Sequence, residues 1–357
     1  MVENLNKAFL ALNDGTVYEG VSIGKQATSV GEIVFTTNMT GYQEVLTDPS
    51  YAGQIVTFTY PMIGNYGVSS DFDESTCEAA KGLIIKEFHG LATEKREGLD
   101  SWLKEKNITG ISEIDTRSLT QKIRSKGVVP GGISSILSSK DLVKVVKDSP
   151  AIESLDLVSG VSVKNKIIHD GDGPVIALLD LGVKKSIIKY LLQEGFKVVQ
   201  YPCSTTAEEI LNDNPDGVVV SPGPGDPKAV GGIVDTVRIL AKAKPYLGIC
   251  LGHQLLALAF GGDTFKLKFG HRGGNHPVLD NSTGRAVITT QNHGYSVDPA
   301  SLKNTDLHVT HTALNDNTVE GIAHKSLPVM AIQFHPEASP GPLDSLGIFS
   351  KFKKIFN

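Results

Sequence analysis

The sequence predicts an α/β protein in which a β-rich α+β domain precedes a doubly wound, mostly parallel sheet. Its 357 residues are long for one domain and sufficient for two. Segments rich in β-branched and aromatic residues dominate the first part, whereas strand and helix patterns alternate after Pro174. Between the two parts, residues 151–172 show short mixed segments that favour a linker. We therefore expect domains at 1–150 and 173–357.

The first domain is predicted to begin with a β-hairpin. Its turn is Asn13-Asp14-Gly15, a sequence typical of tight hairpin connections. Further along, Asp115 can cap a helix that Gly127 ends. The predicted strands of this domain are 8–12, 16–20, 32–37 and 54–60, and the predicted helices are 99–106 and 116–125.

The second domain is predicted from its strand–helix–strand rhythm, which indicates a parallel sheet. The predicted strands are 175–179, 197–201, 217–220, 246–249 and 329–334, and the predicted helices are 184–193, 207–212 and 232–242. In such sheets, ligands bind at the carboxyl ends of the strands. We therefore expect Cys250 and the loop 221–227 to border one crevice.

Cys250 lies between a predicted strand and an apolar helical segment, with Gly248 and Gly252 two residues away on either side. This spacing is typical of a nucleophile elbow, a sharp turn that requires glycine at both flanking positions. The helix N-terminus there favours a thiolate over a thiol. A buried structural cysteine is the alternative interpretation, but the spacing and context favour an activated nucleophile.

His335 is the candidate base for this cysteine. A predicted strand delivers it to a loop, and Glu337 follows at a position from which it can hold the imidazole. Among the ten histidines of the chain, His253 is expected to pack along the helix that follows Cys250. Two closely spaced histidine pairs bring no third ligand at metal spacing, so we interpret them as structural or substrate-shaping and expect no metal. These pairs are His271 with His276, and His308 with His311.

An acyl-transfer site also needs hydrogen-bond donors for the oxyanion. The backbone N–H of Leu251 is the first candidate, because it follows the nucleophile. The segment Gly223-Pro224-Gly225 can supply a second donor, since its glycines allow the main chain to approach a ligand; an ordinary strand-to-helix turn is the alternative. The sequence contains neither of two glycine-rich phosphate-binding motifs, Gly-x4-Gly-Lys-Ser/Thr and Gly-x-Gly-x-x-Gly after a strand. We therefore expect any nucleotide chemistry on another chain.

Composition excludes several classes of function. The net charge of -5, with 40% hydrophobic and 20% charged residues, argues against nucleic acid or an anionic membrane as the main partner. Cys77, Cys203 and Cys250 are scattered, which fits a reducing compartment and not a disulfide framework. We see neither a signal peptide at the N-terminus nor an apolar run long enough to span a membrane, and expect a cytoplasmic location.

Motifs in both domains resemble a known family. The segments 248–254, 223–227, 292–295 and 335–342 together resemble class I (triad) glutamine amidotransferases, which have a flavodoxin-like sheet. The segments 40–51, 59–67, 113–117 and 269–277 resemble the small subunit of carbamoyl phosphate synthetase. The resemblance extends over essentially the whole chain.

The resemblance implies a role for each matching residue. Cys250 would attack the carboxamide carbon of L-glutamine and form a γ-glutamyl thioester, His335 would relay the proton, and Glu337 would orient His335. The N–H groups of Leu251 and Gly223 would stabilise the oxyanion. Further glutamine contacts are implied at Ser50, Gly225, Gln254, Asn292, Gly294 and Tyr295. Because Ser50 belongs to the first domain, the resemblance implies a site at the domain interface.

The resemblance also implies a heteromer. A large subunit would use ATP, Mg and bicarbonate to make carbamoyl phosphate for arginine and pyrimidine biosynthesis, and this chain would need no cofactor. Three alternatives remain: a glutaminase subunit of another synthase, such as anthranilate or guanylate synthase; a non-catalytic regulatory subunit; and an independent cysteine hydrolase. The segment 40–51 argues against the first and the intact triad against the second. Release of glutamate from glutamine would decide against the third.

Overall fold

A computed structural model describes residues 7–77, 79–93 and 96–356 of the chain. The N-terminal residues 1–6, where the sequence predicts no signal peptide, lie outside the described residues. The chain divides into two compact units, of which the first ends at Leu155 and the second begins at Asp156. Within the described residues, no helix has both the length and the apolar composition needed to cross a membrane.

The first unit is built mainly from strands. Its strands are β1 Lys7–Leu12, β2 Val17–Gly24, β3 Thr28–Thr36, β4 Gln54–Phe58, β5 Met62–Ile63, β6 Gly82–Ile84, β7 Glu87–Phe88, β8 Thr109–Ser112 and β9 Val129–Ser134. Its helices are α1 Tyr42–Thr47, α2 Leu99–Glu105, α3 Thr116–Lys126 and α4 Ser139–Asp148, with short 3-10 turns at Pro49–Tyr51, Ser70–Phe72 and Ile152–Ser154. Seven of these strands close into a barrel in the order β1-β2-β8-β6-β4-β3-β9.

The predicted hairpin is present as the antiparallel pair β1–β2. The predicted cap is present too, since the Asp115 side chain accepts a hydrogen bond of 2.9 Å from the Ser118 N–H at the start of α3. Closure of the barrel was not predicted, because strands such as β9 contain Pro130 and two glycines and have little β-propensity of their own. A Cβ atom on Gly131 would lie 2.5 Å from Ile33, so close packing of strands requires glycine there.

The second unit alternates strands and helices and then adds a run of long strands. Its helices are α5 Val158–Val161, α6 Lys185–Gln193, α7 Ala207–Asn212, α8 Gly231–Ala243, α9 Leu251–Ala259 and α10 Gly347–Lys353, with 3-10 turns at Ser301–Asn304 and Lys354–Phe356. Its strands are β10 Ile167–His169, β11 Val175–Asp180, β12 Lys197–Pro202, β13 Gly217–Val220, β14 Tyr246–Ile249, β15 Thr264–Asp280, β16 Arg285–Val297, β17 Leu307–Ala313, β18 Val319–His324 and β19 Val329–Ile332.

The parallel strands confirm the predicted doubly wound sheet. They lie in the order β12-β11-β13-β14-β19, which is the 2-1-3-4-5 order of flavodoxin-like folds. Alternate residues of β11 face opposite sides: Ile176 and Leu178 pack in the cluster that includes α6 and α10, whereas Ala177 and Leu179 pack in the cluster that includes α7, α8 and α9. Both faces of the sheet are therefore covered by helices.

Two features of the second unit differ from the sequence prediction. Residues 156–172 were predicted as part of a linker, but they belong to this unit, and β10 pairs antiparallel with β12. The side chains of Ile167 and Ile168 are exposed, so this edge strand has no burial pattern that a sequence could reveal. The strands β15 to β18 were not predicted at all; they extend the sheet antiparallel from β19.

Candidate active site

Cys250 occupies a strained turn between β14 and α9. Its backbone has φ 52° and ψ -99°, a left-handed φ that non-glycine residues rarely adopt. Its N–H donates to the Ile332 carbonyl of the neighbouring parallel strand at 2.8 Å. A Cβ on Gly248 would lie 2.6 Å from the Gly252 carbonyl oxygen, and one on Gly252 would lie 2.3 Å from the Val220 carbonyl oxygen. The two flanking glycines are thus required by backbone contacts.

We expect Gly252→Ala to destabilise the second unit by at least about 3 kcal/mol, because the added methyl meets rigid backbone and overpacking of this kind is costly. The matched control is Gly232→Ala in α8, where nothing lies within 4 Å of the added Cβ. That control should be neutral or slightly stabilising, since alanine is the better helix former. Urea unfolding of both variants checks the difference; equal midpoints would contradict the close contact at Gly252.

The loop after β13 lies against the residue that follows Cys250. A Cβ on Gly223 would be 2.4 Å from the Leu181 carbonyl oxygen and 2.8 Å from Leu251 Cδ2. Gly225 adopts φ +92°, a conformation that favours glycine. The structure therefore brings together the two segments from which the sequence predicts oxyanion donors.

His335 and Glu337 form a buried pair with a third member, Lys184. His335 Nδ1 lies 2.7 Å from Glu337 Oε1, and Lys184 Nζ lies 3.0 Å from the same oxygen. Lys184 Nζ also donates to the Ala338 carbonyl at 2.6 Å. All three side chains are almost fully buried. The carboxylate is thus held by two cationic partners, and its contact with Nδ1 leaves the opposite nitrogen, Nε2, for chemistry.

The ionisation of this group follows from its neighbours. Burial opposes a charge on His335, but the negative charge of Glu337 and contacts with Cys250 outweigh it and raise the pKa of His335 to about 10. Burial likewise opposes ionisation of Glu337, but the charges of Lys184 and His335 lower the pKa of Glu337 to about 2. Among the described residues, no hydrogen bond of favourable geometry joins His335 Nε2 to a partner. At neutral pH the group is therefore an imidazolium beside a carboxylate.

This pair gives the folding stability a defined pH dependence. Because the pKa of His335 is raised from 6.5, its contribution is fully present below pH 6.5 and is lost as the pH rises through about 10. We expect wild-type protein to lose on the order of 1 kcal/mol per pH unit in this window relative to Glu337→Gln, in which the carboxylate is removed. Urea unfolding of both proteins between pH 6 and 10 measures this. Parallel pH profiles would show that His335 is not held as an imidazolium.

A backbone carbonyl and one side chain contact the Cys250 sulfur, and further hydrogen bonds extend from that side chain. The thiol lies 3.7 Å from the Asn292 carbonyl oxygen, and Gln333 Nε2 donates to the sulfur at 3.5 Å. Gln254 Nε2 in turn donates to Gln333 Oε1 and to the Tyr295 carbonyl, each at 3.0 Å. The structure therefore connects three residues that the sequence predicts to contact glutamine, Gln254, Asn292 and Tyr295, with the nucleophile.

Two other predicted residues lie in different surroundings. Gly294 is in the same segment of β16, and a Cβ there would be 3.5 Å from Arg272 Nη2. Ser50 belongs to the first unit, in the 3-10 turn Pro49–Tyr51, where its N–H donates to Asp48 Oδ1 at 2.9 Å. Its hydroxyl is buried and has no hydrogen-bond partner among the described residues. The role of Ser50 toward glutamine stays a prediction.

Sequence reasoning missed Lys184 and Gln333. Lys184 immediately precedes α6, just beyond the carboxyl end of β11, and that position was a signal that could have been used. Gln333 lies between β19 and His335, and its 0% exposure could not be read from an isolated polar residue after an apolar strand. His253, predicted to pack along the helix that follows Cys250, lies in α9 and is buried, with Nδ1 3.3 Å from Gln333 Oε1.

Comparison with known proteins agrees with this architecture. The family model of class-I glutamine amidotransferases matches residues 177–355, and that of the carbamoyl-phosphate synthase small chain CPSase domain matches residues 10–133. The carbamoyl phosphate synthase small chain of Staphylococcus epidermidis is 49% identical over 352 residues, which cover 98% of this chain and 95% of that one. The chain of that name from Listeria monocytogenes is 48% identical over 355 residues, which cover 99% and 98%. The chain therefore belongs to the carbamoyl phosphate synthase small chain family and carries a class-I glutamine amidotransferase domain.

Proposed function

We propose that this chain is the glutamine-hydrolysing subunit of a carbamoyl phosphate synthase and releases glutamate and ammonia from L-glutamine. The observation that carries the proposal is the arrangement of Cys250 on a strained elbow, of His335 and Glu337 after the neighbouring parallel strand β19, and of Lys184, from the loop before α6, against Glu337. Near full-length similarity to carbamoyl phosphate synthase small chains supports the choice of this synthase over others.

The first half of the reaction forms an acyl-enzyme. The proton of the Cys250 thiol resides on His335, and the resulting thiolate attacks the carboxamide carbon of glutamine, so that a C–S bond forms and the carbonyl oxygen becomes an oxyanion. The N–H groups of Leu251 and Gly223 bind this oxyanion as charge develops. The His335 imidazolium donates its proton to the amide nitrogen, the C–N bond breaks, and ammonia leaves.

The second half regenerates the enzyme. His335, now neutral, accepts a proton from a water molecule that attacks the γ-glutamyl thioester. A C–O bond forms, the C–S bond breaks, and glutamate leaves. Glu337 keeps the imidazole oriented throughout and stabilises its charged form, and Lys184 keeps Glu337 ionised inside a buried pocket.

Glutamine itself is held by residues around the nucleophile. We assign its contacts to Ser50, Gly223, Gly225, Leu251, Gln254, Asn292, Gly294 and Tyr295. Support comes from the hydrogen bonds that link Gln254 to Tyr295 and, through Gln333, to the Cys250 sulfur. The Ser50 hydroxyl, buried and without a partner among the described residues, is available to a ligand.

The ammonia is consumed by a large subunit that carries ATP and Mg and makes carbamoyl phosphate from bicarbonate, and this chain itself needs no cofactor. The first unit, which ends at Leu155, serves contacts with that subunit. The sequence supports this division, because neither glycine-rich phosphate-binding motif occurs in it. The complex acts in the cytoplasm and supplies arginine and pyrimidine biosynthesis.

Reconstitution tests the proposal. The chain is mixed with a carbamoyl phosphate synthase large subunit, and we expect co-elution and glutamine-dependent formation of carbamoyl phosphate with one glutamate released per turnover. Glutamate release without co-elution would support the amidotransferase chemistry and contradict the partner. Failure of glutamate release in the presence of the large subunit would overturn the catalytic assignment.

A further inference from the structure

Three buried ligand-type side chains converge within the antiparallel strands of the second unit. His271 on β15 and His293 on β16 lie directly opposite each other, with ring centroids 4.9 Å apart. Glu320 on β18 completes the group and has 0% exposure. One nitrogen of each histidine and one carboxylate oxygen lie within 4.8 Å of one another. None of these side chains takes part in the glutamine chemistry described above.

Two of the three facing atoms of this group have no hydrogen-bond partner among the described residues, and the third, His293 Nε2, lies 2.9 Å from Gln291 Oε1. His271 Nδ1 and Glu320 Oε1 are buried and have no hydrogen-bond partner among the described residues. They lie 3.6 Å apart, and His293 Nε2 lies 3.8 Å from the same oxygen. Ligand atoms around a tetrahedral zinc ion are separated by about 3.3 Å. Small shifts would therefore bring all three to coordinating distance.

Each candidate ligand has a hydrogen-bond partner on the atom that faces away from the group, as metal ligands in proteins usually do. His271 Nε2 lies 2.8 Å from Asp316 Oδ2, and His293 Nδ1 lies 2.7 Å from the Tyr295 carbonyl oxygen. Glu320 Oε2 accepts a hydrogen bond of 2.7 Å from Gln291 Nε2. A carboxylate or carbonyl on the far nitrogen fixes the tautomer, so that the near nitrogen presents a lone pair to the metal.

The hydrogen bonds around His293 require either a further proton or a metal ion within the group. With its proton on Nδ1, facing Tyr295, the ring presents a lone pair on Nε2 toward Gln291 Oε1 at 2.9 Å. Turning the Gln291 amide round would instead place its oxygen against Glu320 Oε2. Without a further proton on His293 or Glu320, either arrangement opposes two acceptors. A second proton on His293 would form one hydrogen bond, from His293 Nε2 to Gln291 Oε1. A metal ion would instead contact His271, His293 and Glu320 together.

We propose that His271, His293 and Glu320 bind one divalent transition-metal ion, for which Zn²⁺ is the best match. Two imidazole nitrogens and one carboxylate oxygen are a ligand set that zinc accepts, with Gln291 Oε1 or water in the fourth position. The sequence prediction of no metal rested on the spacing within single histidine pairs. The third ligand comes from a strand distant in sequence, which spacing does not reveal.

The ion would have a structural role. It ties β18 and β15 to the segment of β16 that carries Asn292, Gly294 and Tyr295, which approaches Cys250 through the Asn292 carbonyl. We expect binding to stabilise the fold and to fix this segment. The ion would take no part in bond making, because the hydrogen-bond contacts of the reacting sulfur are with Asn292 and Gln333, and neither residue is one of the three ligands.

Metal binding to the full chain tests the inference directly. The background variant is Cys250→Ser, because a reactive thiol binds Zn²⁺ and Co²⁺ by itself. We expect one equivalent of Zn²⁺ by elemental analysis after dialysis, a rise in the thermal midpoint, and a tetrahedral Co²⁺ spectrum without a sulfur-to-metal band. Two results would overturn the proposal: less than about a tenth of an equivalent of bound metal, both by elemental analysis for Zn²⁺ and by the Co²⁺ spectrum, or a Co²⁺ spectrum dominated by sulfur ligation. Either result would mean that a proton, and not a metal ion, joins the histidines to Glu320.

Variants in the same background locate the site. Glu320→Gln should weaken Co²⁺ binding by at least about 100-fold, and Asp316→Asn, which lies behind a ligand, by about 10-fold. His308→Asn, an exposed histidine on β17, is the matched control and should bind as the background does. If Glu320→Gln does not fold, the Co²⁺ affinity of Asp316→Asn and the Co²⁺ spectrum of Cys250→Ser still test whether the metal binds at this site. Equal affinity in all variants would place the metal elsewhere and refute the site.

Discussion

We expect Cys250→Ser to reduce glutamine-dependent carbamoyl phosphate formation by about 10³-fold or more, the scale on which loss of a nucleophile acts. A hydroxyl at the elbow keeps the turn, since serine and cysteine differ by one atom. It is a far weaker nucleophile, because a serine hydroxyl does not ionise near neutral pH. Synthesis from added ammonium should persist in the reconstituted complex, since the large subunit would use it without glutamine.

The matched control is Cys203→Ser, a half-buried cysteine of the same unit that the mechanism does not use. It should hydrolyse glutamine at the wild-type rate. The two reactions are measured in parallel, as glutamate release and as ammonium-dependent carbamoyl phosphate. Wild-type glutamate release by Cys250→Ser would refute the nucleophile, and loss of both reactions would point to damage of the fold or of the complex.

The second large effect is expected for Lys184→Met, which leaves Glu337 buried without its lysine. Lys184 and Glu337 are 2% and 0% exposed, and their charged atoms are 3.0 Å apart. Breaking a buried ion pair from one side costs about 3–5 kcal/mol, because the remaining charge stays desolvated. We expect a loss of this size in the free energy of unfolding and a fall in kcat larger than the change in KM, since the imidazole loses its fixed partner.

The matched control is Lys185→Met, the exposed neighbour on α6, which should change stability by less than about 0.5 kcal/mol. The double variant Lys184→Met with Glu337→Gln removes both charges and should be more stable than Lys184→Met alone. Urea unfolding of the wild type, Lys184→Met, Glu337→Gln and the double variant gives the four free energies of this double-mutant cycle. Additive losses would show that Lys184 and Glu337 do not interact.

The parts of the fold that sequence predicted are those with local signals. Apolar strands such as β11 and β13, the Asp115 cap and the elbow at Cys250 are each specified within a few residues. The strands β15 to β18 were missed because their burial is irregular and their register contains bulges set by partner strands. Non-local pairing of this kind leaves little periodicity in the chain.

The residues of the candidate site also separate into those that local sequence signals identify and those that non-local contacts bring in. Cys250, His335 and Glu337 follow strand ends and could be found by position. Lys184 reaches Glu337 from the loop before α6, and Gln333 reaches the sulfur from the end of β19. Such contacts depend on which strands become neighbours, and that order is a property of the assembled sheet.

The position of β19 between β14 and β18 also determines when the chain can acquire its chemistry. β14 pairs with β13 on one side, but its other edge stays unpaired until β19 arrives, and the four long strands β15 to β18 are synthesised in between. Long-range parallel pairing is slow, and an open strand edge is prone to association with other chains. A growing chain therefore carries the elbow well before its base, and hydrolysis of glutamine should begin only after β19 and the residues up to Glu337 have been synthesised.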